Sequence, residues 1–148
     1  MRPTTVRIFG GRDVGKTTIA MHTAAELRWM GVPTALTRDM ARFWGEGSAI
    51  VFMEIFDRNP CTLTPHAVAE MCKGTLNFLI LRPRYYWDDP PLHVGLQPKL
   101  VQVEWTAQEQ LLEKTLRAGH VEYKSLPGVR ASTQYLIKKI CDRVGYGK

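Results

Sequence analysis

Ala49-Ile50-Val51-Phe52-Met53 is apolar at five consecutive positions, so a strand built from it can leave neither face in water. Leu79-Ile80-Leu81 imposes the same demand further along the chain. Between such runs lie stretches with helical spacing, for example Ala20, Ala24 and Leu27. Short buried strands alternating with helices specify an α/β chain: a mainly parallel, five-stranded sheet with helices on both faces. The expected strands are Thr5 to Phe9, Val32 to Thr37, Ser48 to Phe56, Thr75 to Leu81 and His120 to Leu126. The expected helices run from about Lys16 to Met30, from Pro65 to about Lys73, from an N-cap at Thr106 to Arg117, and from Ser132 to Val144.

Local signals fix several of these ends. Gly31 follows the first helix as a C′ residue, and Thr64-Pro65 supplies a cap and a first-turn proline. Arg82 to Lys99 is proline-rich and lacks a helical period, so it is read as a long functional loop, the best place for a lid. The 148 residues, 45% hydrophobic and 23% charged, make one domain with a core that needs no staples. Cys61, Cys72 and Cys141 are odd in number and far apart, which suits a reducing cytoplasm better than a disulfide framework or a metal site. No run approaches the length of a membrane span, so no membrane partner is expected.

The most specific feature is Gly10-Gly11-Arg12-Asp13-Val14-Gly15-Lys16-Thr17, which matches G-x-x-x-x-G-K-[ST] and stands between an expected strand and an expected helix. Glycines allow successive backbone N–H groups to turn inward around phosphate oxygens, and the helix N-terminus adds its dipole. Lys16 is expected to reach the β- and γ-phosphates of ATP, Thr17 to bind Mg²⁺, and the loop through Thr18 to line the donor site. A metal-side carboxylate belongs at the end of a buried strand, where both Glu54 and Asp57 occur. A guanine-specific N-K-x-D stretch is absent, which argues against a GTPase.

The loop, Thr37-Arg38-Asp39, Asp57-Arg58 and the Arg82–Arg84 pair together resemble the P-loop kinases of nucleosides, nucleotides and polynucleotides. The likeness spans most of the chain, although only the glycine loop is a specific motif. It implies a three-layer P-loop NTPase fold over residues 1–148. In polynucleotide kinases an Arg-Asp pair after the second strand supplies the general base, and Arg38-Asp39 matches that position. The resemblance thus makes Asp39 the favoured base, with N-cap of a following helix as its structural alternative. Arg38, Arg82 and Arg84 become candidates to stabilise phosphate charge. A weaker resemblance, to nicotinamide riboside kinase-like domains, rests on Trp87-Asp88-Asp89 and the elements after it. In related kinases the segment matching Leu126-Pro127-Gly128-Val129 borders the adenine ring.

Thymidylate kinases are similar in outline but hold their nucleotide with a long segment between the second and third strands, and here only Arg38 to Gly47 is available. Enclosing a small acceptor requires burying most of it. An open site favours a hydroxyl within DNA or RNA, either a 5′ sugar hydroxyl or one on a modified base such as 5-hydroxymethyluracil, with DNA preferred. Arg82-Pro83-Arg84-Tyr85-Tyr86-Trp87 combines guanidiniums and aromatics, as strand-binding surfaces do. A free-nucleoside, nucleotide or nicotinamide riboside kinase is the alternative in the same class, and a nucleic-acid-binding NTPase without acceptor is the alternative from another. Lys plus Arg exceed Asp plus Glu by 20 to 14, a net +6. Seven of those basic residues against two acidic ones fall in 117–148, where Arg130, Lys138, Lys139 and Arg143 lie on or before the last helix. Nothing in the residues fixes an oligomeric state.

Overall fold

A computed structural model describes residues 3–11, 14–36, 49–56, 63–82 and 98–146. In chain order these form β1 (Thr4–Gly10), α1 (Lys16–Trp29), β2 (Thr34–Ala35), β3 (Val51–Ile55), α2 (Pro65–Met71), β4 (Leu76–Leu81), α3 (Pro98–Ala118), β5 (Lys124–Pro127) and α4 (Ala131–Val144). The five strands make one sheet in the order β2-β3-β1-β4-β5. Every pairing is parallel, with Val6 opposite Met53 on one side and Leu76 on the other.

The apolar runs are explained by helices on both sides of this sheet. Alternate strand residues Val6, Ile8, Val51, Met53, Phe78, Ile80 and Leu126 point to one face, against Ala20, Ala24 and Leu27 of α1 and Leu136 and Ile140 of α4. The intervening Phe9 and Leu79 point to the other, against Val68 of α2 and Leu112 and Leu116 of α3. Consecutive residues are therefore buried in opposite cores, which is what parallel strands inside a three-layer chain require. β2 is shorter than expected. It is the edge strand and covers only Val51 and Phe52 of β3, so Ile50, within the expected third strand, is 43% exposed.

Two helix ends follow the sequence signals, and a third is closed by a glycine. Gly31 takes φ +88° and closes α1, with Val32 N–H donating to Leu27 O at 2.8 Å. Thr64 Oγ1 accepts from Ala67 N–H at 3.1 Å and caps α2. Gly145, at φ +75°, closes α4. α3 differs from expectation: it begins at Pro98, and Thr106 lies well inside it rather than capping it. Pro98 is compatible with a first turn as well as with a loop, and the helix takes the former option.

The end of α3 is the second departure. His120, at φ +55°, occupies the left-handed position, with its N–H donating to Arg117 O and Val121 N–H to Leu116 O, both at 3.0 Å. Gly119 is needed for a different reason: a Cβ there would stand 2.6 Å from Pro65 O and 2.9 Å from Val68 Cγ1. α2 and α3 can close on each other only because that atom is absent. Gly119→Ala is expected to cost about 2 kcal/mol, since overpacking against backbone outweighs the gain in helix propensity. Thermal unfolding should register a fall of roughly 4–8 °C, and an unchanged midpoint would show that the α2–α3 contact gives way freely.

Cys72 and Cys141 are unpaired and buried, one in each core. Burial pushes both thiols up, and Arg7 pulls Cys72 partly back. Among the described residues no helix is long and apolar enough to cross a membrane.

Candidate phosphate-binding site

α1 and α4 cover one face of the sheet and α2 and α3 the other. The chain thus passes from β1 to a helix on one side, while the helices that follow the flanking strands β3 and β4 lie on the opposite side. Connections that diverge in this way leave a crevice beyond the carboxyl ends of the strands, at the end of β1. The glycine segment of the sequence falls there.

Gly10 is the last residue of β1 and is closely packed on its Cα. A Cβ on it would meet Val14 Cγ2 at 2.7 Å and Ile80 O at 3.1 Å. Val14 is buried, and Gly15 at φ +90° leads into α1. The first turn of α1 has no side-chain cap and no acidic residue, and Ile19 N–H to Gly15 O at 2.9 Å is its opening helical bond. The positive dipole end of this helix favours an external anion. Thr17 and Thr18 are exposed on this turn. Lys16 folds back over the glycines: it is only 9% exposed, and its Nζ donates to Gly11 O at 3.2 Å.

Arg82 joins this group from the end of β4. It is 5% exposed, and its Nη2 lies 3.8 Å from where a Gly11 Cβ would stand. Its backbone N–H donates to Glu109 Oε1 at 2.8 Å, and Gln108 Oε1 is also 3.8 Å from the Gly11 position. Gln108 and Glu109 are site residues that sequence reasoning missed. Glu109 shares a helix face with the buried Leu112 and Leu116, a spacing within the expected helix that could have placed it.

A cavity of about 300 Å³ adjoins the loop, between Val14, Gly15, Thr18 and His22 on one side and Gly128, Val129, Arg130 and Thr133 on the other. Gly128 is fixed by its N–H donating to Leu81 O at 2.8 Å, and Ser132 Oγ donates to Pro127 O at 2.6 Å. The segment expected to border a base thus lies beside the loop expected to hold phosphates.

Glu54 goes elsewhere. It faces Arg7 across the β1–β3 pairing and forms an ion pair with it, while Arg7 Nε donates to Met71 O at 2.8 Å. Arg7 precedes Gly10 by three residues, so the Glu54–Arg7 pair lies roughly 10 Å back from the carboxyl edge. Its geometry is that of a sheet ion pair. Arg12, Asp13, Arg38, Asp39, Asp57 and Arg84 lie outside the described residues. Among the described residues no three His, Cys, Asp or Glu side chains cluster as metal ligands. No protein-family model matches the chain, and no curated protein matches it.

Proposed function

We propose that this chain is a P-loop kinase that transfers the γ-phosphoryl group of ATP to a hydroxyl of a nucleotide-type acceptor, with a hydroxyl in DNA or RNA preferred. The observation that carries the reading is the convergence of Lys16, Arg82 and the α1 N-terminus on a glycine turn that is tightly packed at Gly10. A polyphosphate is the ligand that such a site neutralises best, because it accepts backbone N–H bonds and cationic contacts together.

In this reading the triphosphate lies on the first turn of α1 with Lys16 on its β- and γ-phosphates, and the base enters the cavity beside Gly128 and Val129. The acceptor oxygen attacks the γ-phosphorus as the bond to the β–γ bridging oxygen breaks. The acceptor proton passes to Asp39, and ADP carries away the bond electrons. Lys16 and Arg82 offset the negative charge at the leaving and equatorial oxygens. Mg²⁺, held by the exposed Thr17 hydroxyl together with phosphate oxygens, would supply further charge neutralisation.

γ-Labelled ATP offered with oligonucleotides or with free nucleosides tests the assignment. Label on the oligonucleotide is the expected result. Label confined to free nucleosides or nucleotides would replace the acceptor class, and phosphate release with no labelled product would replace the kinase with an NTPase.

A further inference from the structure

A second cavity lies at the opposite edge of the sheet from the glycine loop. It measures about 650 Å³ and opens at the amino ends of β4 and β5. The six residues of β4 separate it from Arg82 by roughly 17 Å. Its volume falls within the ordinary range of ligand sites.

Four cations from three parts of the chain line it: Lys73 after α2, Lys124 at the start of β5, and Lys139 and Arg143 on α4. One carboxylate, Glu122, lines it as well. No ion pair joins any of the four cations to a carboxylate of the described residues. Two of the lysines are also preorganised. Lys124 Nζ and Lys139 Nζ stand over the ring of Tyr135, 5.9 and 5.5 Å from its centre, and Phe78 fixes that ring edge-on at 6.4 Å. Both ammoniums thus meet one aromatic ring on the cavity wall. The polar floor is satisfied internally: Thr75 Oγ1 donates to Asn77 Oδ1 at 2.6 Å, and Asn77 Nδ2 donates to Glu122 O at 3.1 Å.

We infer that this cavity is a second anion site, separate from the glycine loop, that takes a phosphate-bearing polyanion. A cleft lined by one sign of charge concentrates counter-ions of the other, and a ligand with several phosphates can engage all four cations at once. The phosphates come either from a single nucleic-acid strand or from a free polyphosphate such as a nucleotide. The basic residues of the C-terminal region thus separate into distinct groups. Lys139 and Arg143 belong to this site, Arg130 borders the cavity beside the glycine loop, and Lys138 lines neither.

Binding of a short fluorescent single-stranded oligonucleotide and of inorganic tripolyphosphate, each titrated across a salt series, tests the inference. Lys124→Gln combined with Lys139→Gln should weaken strand binding about tenfold and flatten the log–log salt slope by about 1.4, the value for two lost phosphate contacts. Lys138→Gln should leave strand affinity within about twofold of wild type. If the double substitution weakens only tripolyphosphate, the site serves a free polyphosphate. If it alters neither probe, if Lys138→Gln weakens binding equally, or if the wild-type chain binds neither, the inference fails. Because Lys124 and Lys139 line this cavity and not the one beside the glycine loop, the outcome is independent of whether that loop supports phosphoryl transfer.

Discussion

Lys16→Ala is expected to lower phosphoryl transfer by at least about 10²–10³-fold and to weaken ATP binding, while thermal stability stays nearly constant. The first effect follows from position. Lys16 is the first residue of α1, and its ammonium is turned onto Gly11 O. The second follows from burial, because an ammonium at 9% exposure carries a desolvation cost. Losing the charge therefore offsets much of the packing lost with the aliphatic stem. Lys16→Met keeps that stem and separates the two contributions. Both variants should lose transfer, with Lys16→Met the more stable. Calorimetric titration of ATP and a transfer assay on the same preparations check this, and unimpaired transfer by either variant would remove the glycine loop from the donor site.

How far the sequence discloses such a site depends on whether the signal is local. The segment from Thr4 to Trp29 is legible because strand, turn and helix signals are contiguous, and Gly15 and Gly31 both take the positive φ their contexts suggest. Gly119 shows the limit. Its sequence context marks a helix end, but proximity to Pro65, 54 positions earlier, decides what the glycine is for, and His120 takes the left-handed conformation instead. Glu54 is a comparable case: a carboxylate near the end of an apolar run reads as a site residue until the sheet order brings β1, and with it Arg7, alongside. The amino-edge cavity is the least legible. Lys73, Lys124 and Lys139 share no motif, and only the β4–β5 pairing with α4 across it brings them together.

Asp39→Asn is expected to reduce transfer by about 10²–10⁴-fold with ATP binding unchanged, the pattern for loss of a proton acceptor rather than of a donor contact. The argument starts from the sheet. β2 runs parallel to β3 and β1, so its carboxyl end at Ala35 points to the same edge as Gly10, and Asp39 follows four residues later in sequence. An N-cap role for Asp39 would instead cost about 1 kcal/mol of stability and spare transfer. Glu54→Gln provides the contrast. Weakening a charged hydrogen bond to Arg7 should cost roughly 1–3 kcal/mol in unfolding free energy and leave transfer per folded molecule within about twofold. Asp57→Asn completes the set as the remaining strand-end carboxylate. If Asp39→Asn transfers normally and Asp57→Asn does not, the base lies after β3 rather than after β2, and Asp39 reverts to a cap. If Glu54→Gln alone abolishes transfer, the Arg7–Glu54 pair must open during turnover, and the two carboxylates exchange the roles assigned to them here.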